Sequence, residues 1–526
     1  MYRGPRSRWS EPHKDKVYPD FRGIHGLGAG AGPWGCTVSR TRLMYMLPPL
    51  FGLVVVAVVE AGRWYVVLAP IVLLAILPLS QRAWLPCALV LATTCSLYWP
   101  YAYPYVRMAG AGFYLSEAVL LLSLLAVMLY VAMNDTALGV FFGGLGILVL
   151  TLFLAESMGI AIGISGGVEP KAAIMSARET AFFATFWLAV IAARKGASRR
   201  NLFRVGAALA VLTVVLQVVQ IVLGPHRLVF QVGSYSSLVM LDPSGGFLRV
   251  RPPGLTLVYV TAAFAASYLV WGPRRRRLVA LALLLLCLVG VLLSYNRNMI
   301  LGLACGLLTA GLITRRRSRL VLIAVSGVIV ISAAAALLLS SSQAGVTRQV
   351  VARVLSLGNV QGLERTTLAP RAAENALALR QIEAHPLAGI GWGKSYGNYE
   401  RDYGTGRLVD TMSIHNQYYG LWMRAGLLGL GTMLGLLLGG VLIGARELRS
   451  QTLQAENWMG AAIVASLVEI ALSSMVGMYM SDPSSTIPLM IVLGLASAVL
   501  LERRAVHLTP AALLADTRPI RLKAPQ

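Results

Sequence analysis

Long apolar runs recur along this chain and restrict it to one class of fold. A helix needs about 20 mostly apolar residues to cross the hydrocarbon core of a bilayer, and many apolar runs lie between residues 43 and 501. Hydrophobic residues make up 57% of the 526 residues and charged residues only 13%, against about 25% charged residues in soluble domains. Backbone groups in lipid find their hydrogen-bond partners within helices. The sequence therefore predicts an all-α polytopic membrane protein.

Basic clusters beside the apolar runs predict how the chain is oriented. Cytoplasmic loops carry an excess of Lys and Arg. We predict about 12–14 helices, and when they are counted from a cytoplasmic N-terminus every basic cluster falls on the cytoplasmic side. The lower count applies if 64–80 and 83–99 are re-entrant. The net charge of +24 is thus distributed over helix ends, so we expect membrane lipids and no nucleic acid as partners. The clusters are Arg40 and Arg42, Arg194 to Arg200, Arg274 to Arg277, Arg315 to Arg319, and Arg503 with Arg504. The predicted spans are 43–59, 64–80, 83–99, 113–133, 138–155, 178–193, 202–223, 254–271, 278–294, 297–313, 319–339, 416–444, 458–478 and 486–501.

The pattern of spans and loops divides the chain into successive parts. Within the largest outer loop, residues 371–384 predict a helix that ends ahead of Pro386, because proline disfavours helix in the residue before it. A Gly-rich turn at 389–393 follows, and a shorter Gly-rich outer segment is predicted at 156–177. The parts are a disordered basic cytoplasmic tail (1–42), N-terminal transmembrane helices with an outer loop at 224–253 (43–339), a large extracytoplasmic loop (340–415), C-terminal transmembrane helices (416–501) and a cytoplasmic tail (502–526).

Signatures of metal and cofactor binding are missing from the sequence. The five cysteines show no metal-binding or redox spacing, and neither a Walker loop nor a Rossmann glycine pattern is present. We therefore expect no cofactor and no metal.

Two short signatures flank the largest predicted outer loop. Arg297 opens an apolar helix, and a guanidinium stays charged while it grips phosphate oxygens with a two-pronged fork. His415 lies where the loop re-enters the membrane, and an imidazole can take a proton from an attacking sugar hydroxyl. Arg251, just outside another helix, is a second candidate phosphate ligand, with Arg249 as its competitor. Each of these residues also has a plain structural interpretation, as a lipid-headgroup anchor or a helix-start residue.

Three further polar residues are candidates for supporting roles. Asn416 either orients the His415 ring or caps the following helix. Arg424 and Glu469 fall within predicted membrane helices, where a charge costs about 2.5–3.5 kcal/mol on insertion scales. Each therefore faces a polar cavity or a partner, and the simplest expectation is a mutual ion pair.

These features together resemble the O-antigen ligase and polymerase family of bacterial membrane glycosyltransferases. Arg297-x3-Leu301 is similar to the family's Arg-x3-Leu motif, and His415-x10-Gly426 to its His-x10-Gly motif. Residues 384–391, Ala-His-Pro-Leu-Ala-Gly-Ile-Gly, resemble its Pro-Leu-x-Gly-x-Gly stretch late in the large outer loop. The order of the motifs and their spacing across one loop make the set specific. The resemblance covers about residues 240–445.

The resemblance implies a C-type glycosyltransferase-like fold and a reaction at the outer face of the cytoplasmic membrane. The donor would be an undecaprenyl-diphosphate-linked saccharide and the acceptor a glycan or lipid core. Arg297 and Arg251 would bind the diphosphate, and His415 would activate the acceptor hydroxyl or orient the site. The reaction would invert the anomeric centre without a metal.

The residues leave the exact reaction open. A ligase moves a finished glycan to a different acceptor, whereas a polymerase joins lipid-linked repeat units, of O-antigen or exopolysaccharide, to one another. An alternative of another class is a lipid-linked glycan flippase. Transporter folds of that kind often consist of two similar halves, and no internal repeat is visible in this chain.

Overall fold

The described part of the computed structural model consists mainly of helices, with three small strand pairs. It comprises residues 79, 82–95, 106–108, 111–113, 115–134, 141–223, 239–241, 248–294, 296–313, 369–400, 408–410, 414–449, 457–477, 479–480 and 482–515. The α-helices are α1 (Leu85–Cys95), α2 (Leu115–Asn134), α3 (Gly146–Ser165), α4 (Pro170–Ala177), α5 (Thr185–Ala193), α6 (Gly196–Leu223), α7 (Leu255–Trp271), α8 (Arg277–Leu293), α9 (Arg297–Ile313), α10 (Ala369–Ala384), α11 (Gln417–Arg449), α12 (Asn457–Ser473) and α13 (Pro483–Ala515). The antiparallel strand pairs are β1 (Val106–Met108) with β2 (Ala111–Phe113), β3 (Val239–Leu241) with β4 (Leu248–Val250), and β5 (Asn398–Glu400) with β6 (Leu408–Asp410).

The helical polytopic architecture is confirmed. Six segments are long and apolar enough to cross a membrane, and five further apolar helices are shorter. The predicted spans 43–59 and 319–339, and 64–80 apart from residue 79, lie outside the described residues. The total of about 12–14 helices therefore stays a prediction, as do the division into parts and the C-type likeness.

The structure differs from the sequence prediction after residue 155. The predicted outer segment 156–177 is mostly helical, because α3 continues to Ser165 and α4 begins at Pro170. Glycine lowers helix propensity, which is why the Gly-rich stretch predicts a loop. In the structure Gly159 and Gly163 give α3 a flat surface, and the backbone of Trp392 packs directly against Gly163.

Helices α12 and α13 form the centre of the described bundle. The membrane-crossing part of α13 is almost entirely buried, and α12 packs against α7, α9 and α11. The outer faces of α6 and α8 are apolar and exposed, with Val222 79% and Leu278 81% accessible. Exposed apolar helix faces around a packed centre are what a lipid environment permits.

The bundle has two chemically different ends. At the end that we call the arginine-rich end, Arg199 pairs with Glu502 at 3.2 Å and Arg503 pairs with Glu447 at 2.7 Å. Helix α7 runs from the opposite end, which we call the site end, to Trp271 near this one. The site end contains the starts of α7, α9 and α11 and the end of α12, and it carries the candidate functional residues.

Candidate functional site

His415 is held by a carboxylate that the sequence analysis did not identify. Its Nδ1 lies 2.9 Å and 3.0 Å from the two carboxylate oxygens of Glu374, and its backbone N–H donates to Glu374 Oε2 at 3.3 Å. Because a carboxylate only accepts hydrogen bonds, Nδ1 carries the proton and Nε2 of the neutral ring keeps a free lone pair. The Glu374 side chain is 3% exposed and that of His415 43% exposed. A buried carboxylate thus orients a half-exposed imidazole.

Asn416 caps α11 and does not orient the ring. Its side-chain Oδ1 accepts hydrogen bonds from the backbone N–H groups of Tyr418 (3.2 Å) and Tyr419 (3.3 Å). This satisfies two of the free N–H groups at the helix start. Of the two interpretations of Asn416 drawn from the sequence, the structure supports capping, because Glu374 makes the contact to His415.

The start of α11 is fixed to the end of α12. The Gln417 N–H donates to the carbonyl of Ser474 at 3.0 Å, and the Tyr418 hydroxyl donates to the carbonyl of Ala471 at 2.8 Å. Two hydrogen bonds between different helices leave little freedom in this backbone. His415 therefore has a defined position relative to the end of α12.

Arg297 begins α9 between two asparagines that share one partner. The amide nitrogens of Asn296 and Asn298 donate to the Tyr479 hydroxyl at 2.6 Å and 3.2 Å. The Asn298 carbonyl also accepts from the Ser473 hydroxyl at 3.4 Å. The backbone on both sides of Arg297 is thus anchored to residues 473–479, while the Arg297 side chain lies outside the described part of the structure.

Arg251 lies close enough to the same tyrosine to interact with it electrostatically. It follows β4, in which Arg249 pairs with Met240 and has a side chain outside the described part. Burial raises the pKa of Tyr479, and the positive charge of Arg251 acts in the other direction. Arg251 and the backbone flanking Arg297 are therefore brought together at Tyr479.

The link between α12 and α13 thus organises the site end. Asp482 begins α13: its carbonyl accepts from the N–H groups of Ser485 (2.9 Å) and Thr486 (2.8 Å), and its carboxylate accepts from the Ser484 hydroxyl. Burial raises the pKa of Asp482. The Ser485 hydroxyl lies 2.7 Å from that of Thr256 on α7. Sequence reasoning missed this link, because neither residue belongs to a motif: Tyr479 lies between two methionines, and Asp482 directly precedes Pro483.

Gly426 joins α11 to the Gly-rich turn of the outer loop. It adopts φ 68° and ψ −169° inside α11, which only glycine does readily. At the kink the Ile390 N–H donates to the carbonyl of Met423 (2.7 Å), and the Leu427 N–H donates to the carbonyl of Leu387 (3.0 Å). A Cβ on Gly426 would strike the Leu387 carbonyl oxygen. The glycine eleven residues after His415 therefore lets the loop that carries residues 387–390 dock beside the helix.

Part of the chain matches a known protein family. Residues 282–434 match the family model described as O-antigen ligase. The chain carries an O-antigen ligase domain. The curated proteins compared with the chain gave no match.

The O-antigen ligase domain contains Arg297, Glu374, His415 and Gly426, whereas Arg251 precedes it. The family covers O-antigen ligases and polymerases, and its members use lipid-linked glycans in general. The chain is a multi-pass membrane protein with six candidate spans, and the match at residues 282–434 points to an enzyme of glycosyltransferase type.

The predicted ion pair between Arg424 and Glu469 is wrong. Within the described residues, Arg424 lies over the ring of Trp392, with its guanidinium carbon 4.3 Å from the ring centre. Trp392 Nε1 donates to the buried carboxylate of Glu156 at 2.6 Å, and Arg424 also interacts electrostatically with Glu156. The apolar pattern of the sequence shows that Arg424 lies on a membrane helix, but it does not show which helix Arg424 faces. In the structure, α3 supplies the partner, Glu156.

Glu469 lies with the hydrogen-bonded network of the site end instead. Its side chain is fully buried in α12, one turn before Ser473. It interacts electrostatically with Tyr479 and Tyr259. Arg424 and Glu469 thus belong to different neighbourhoods.

Among the residues that the structure describes, no group of three or more His, Cys, Asp or Glu residues could hold a metal ion. Metal independence stays a prediction.

Proposed function

We propose that this protein transfers a saccharide from an undecaprenyl-diphosphate carrier to an acceptor hydroxyl at the outer face of the cytoplasmic membrane, as an O-antigen ligase does. The proposed acceptor is a glycan or a lipid core, and both termini are cytoplasmic. The single observation that carries the proposal is the pairing of His415 with Glu374 inside the family domain. A buried carboxylate on Nδ1 leaves Nε2 able to accept a proton.

In the proposed reaction His415 acts as general base. The acceptor hydroxyl donates its proton to Nε2 while its oxygen attacks the anomeric carbon. The new carbon–oxygen bond forms as the bond to the diphosphate breaks, so the anomeric centre inverts in one displacement. Glu374 stabilises the imidazolium that results, because a carboxylate attracts the charged ring. Positioned proton transfer of this kind contributes about 10²–10⁴-fold to a rate.

The leaving diphosphate needs positive charge where its own charge develops. Arg297 and Arg251 are the proposed ligands, since guanidinium groups bind phosphate oxygens in pairs and remain charged. The hydrogen bonds from Asn296 and Asn298 to Tyr479 support a fixed backbone around Arg297. Fixed cations in a site shielded from water lower the energy of a developing anion, so no metal is proposed.

The other candidate residues have supporting roles in this proposal. Asn416 fixes the start of α11, and Arg424 holds the outer loop through Trp392. Glu469 keeps the Tyr479 neighbourhood polar. Arg249 has no separate role and is the alternative to Arg251 as a diphosphate ligand.

The decisive experiment uses full-length protein in liposomes with one defined undecaprenyl-diphosphate-linked repeat unit. The first reaction contains no other acceptor, and the second adds a lipid core. Products are resolved by length on a gel, and a matched reaction contains the His415→Ala variant. The expected result is no ladder in the first reaction and transfer to the lipid core in the second, and the His415→Ala variant should lose this transfer.

The other outcomes are equally informative. A ladder of products in the first reaction identifies a polymerase and overturns the choice of acceptor, while the enzyme class stands. Unchanged substrate in both reactions overturns the enzyme proposal and favours a flippase. Translocation of the lipid-linked unit across the same liposomes would then be measured.

A further inference from the structure

A large cavity that His415 does not line lies between helices α6, α7, α8, α12 and α13. Its volume is about 640 Å³. Its walls are apolar over most of their area and include Leu257, Val260, Phe264, Leu283, Ile491 and Leu495. This is far more space than a single water or ion needs. The cavity is therefore suited to a hydrocarbon ligand.

The rim of the cavity carries positive charge. Arg199, Arg200, Arg204 and Arg276 line it, and no Asp or Glu is among the described lining residues. The Arg199 guanidinium is held by Glu502 at 3.2 Å, whereas the other three arginines are exposed. A ligand with an apolar body and an anionic head would match both parts of the cavity.

The shape of the cavity fits a chain that lies along the bundle. Helix α7 lines it from Leu257 to Tyr268, which is a length of about 16 Å at 1.5 Å per residue. Val279, on the rim, is 70% exposed on the apolar outer face of α8. The cavity therefore opens sideways, where a lipid can enter from the bilayer.

Aromatic residues mark the depth of the arginines in the membrane. Trp458 lies 5.1 Å from Tyr268 and 5.5 Å from Phe203 between ring centres. Trp and Tyr are enriched at membrane–water interfaces. These aromatic residues place the arginine rim at the level of the phospholipid headgroups, and this placement does not depend on the charge of the arginines.

We propose that this cavity binds one anionic phospholipid. An acyl chain lies along α7, and the headgroup phosphate is bound by Arg200, Arg204 and Arg276. A zwitterionic phospholipid also has a phosphate, but its cationic group meets an arginine rim and is disfavoured. The proposal goes beyond glycan transfer and does not rest on it, since its test measures lipid binding and not activity.

The test titrates delipidated, full-length protein in detergent with phosphatidylglycerol. Phosphatidylcholine of the same chain length and inorganic phosphate are the comparison probes, and bound lipid is counted by native mass spectrometry. The combined variant R200Q, R204Q and R276Q should weaken phosphatidylglycerol binding about a hundredfold, at about fivefold per arginine. A matched control, R194Q with R274Q and R275Q, removes three arginines of the same end that do not line the cavity. It should change binding by about fivefold or less.

A second variant tests the apolar part of the site. A Cβ at Gly206 would meet only Leu257 Cδ1, at 3.9 Å, so Gly206→Phe fills the cavity without displacing backbone. Gly431→Phe is its control, because nothing lies within 4 Å of a Cβ there. Phosphatidylglycerol binding should be lost in the first variant and kept in the second, with the thermal transition of both retained.

Four results would overturn the proposal. Equal binding of phosphatidylcholine would remove the selectivity for anionic headgroups. Unchanged binding in Gly206→Phe, or binding of inorganic phosphate as strong as that of the lipid, would indicate a simple anion site. Failure of folded wild-type protein to bind any lipid would mean that another segment fills the cavity.

Discussion

The two ends of the helix bundle both present arginines, but they hold them in different ways. At the site end, Asn296 and Asn298 fix the backbone around Arg297 by hydrogen bonds to Tyr479. At the arginine-rich end, Arg200 and Arg276 are exposed at the rim of an apolar cavity. Catalysis requires groups that are positioned before the reaction, whereas lipid attraction requires mainly charge near the surface. The difference in construction therefore separates a proposed reaction site from a proposed lipid site.

The comparison predicts that substitutions at the site end alter chemistry, whereas substitutions at the arginine-rich end alter lipid binding.

The largest effect is expected from His415→Ala. Loss of the base should lower the transfer rate about 10²–10⁴-fold, while the protein still inserts and accumulates. The measurement is initial rate in the liposome assay, with membrane content of the variant checked by immunoblot. His385→Ala is the matched control, because His385 is an exposed histidine of the same outer loop. Normal activity in His415→Ala would remove this residue from the reaction.

Glu374→Gln should have the next largest effect. The amide keeps the size of the side chain but cannot stabilise an imidazolium, so we expect kcat to fall about a hundredfold with little change in KM. Rates at several donor concentrations separate the two constants. Glu383→Gln, at an exposed position of the same helix α10, should leave both unchanged. A rise in KM alone would show that Glu374 shapes the loop and does not act through His415.

Arg297→Lys tests whether geometry or charge matters at the site end. Lysine keeps the charge but loses the two-pronged fork, and the lost charged hydrogen bond should lower the rate about 10- to 100-fold. Arg276→Lys at the arginine-rich end should change phosphatidylglycerol binding less than about threefold, because a point charge suffices there. Wild-type transfer activity in Arg297→Lys would make Arg297 a membrane anchor and end the contrast between the ends.

The helices of the bundle were largely predictable from the sequence. The bounds of α9 agree with the predicted 297–313, because an arginine at one end and a basic cluster at the other limit the apolar run. The helix within 371–384 was predicted from the proline after it, and α10 is Ala369–Ala384. The prediction failed at α3, where two glycines serve the packing of Trp392 rather than a turn. Only the tertiary neighbour distinguishes these two uses of glycine.

The candidate site was predictable where a motif existed and not elsewhere. His415 and Arg297 stand at helix starts beside a large loop, which sequence spacing reveals. Glu374 lies 41 residues before His415 on a helix of ordinary composition, so only the fold shows that they meet. The partner of Arg424 was missed for the same reason, since Glu156 lies on a distant segment.

The smallest effect is expected from Tyr479→Phe. The hydroxyl accepts hydrogen bonds from Asn296 and Asn298, and its loss leaves two amides without this acceptor. We expect a stability loss of about 1–3 kcal/mol and a transfer rate lowered about three- to tenfold. Because burial raises the pKa of Tyr479, its hydroxyl stays neutral, and the loss should be the same between about pH 6 and about pH 8. Tyr268→Phe, at the arginine-rich end, should leave transfer unchanged. If both substitutions lowered transfer equally, the site end would not be more ordered than the arginine-rich end. The hydrogen bonds around Arg297 would then be ordinary packing contacts.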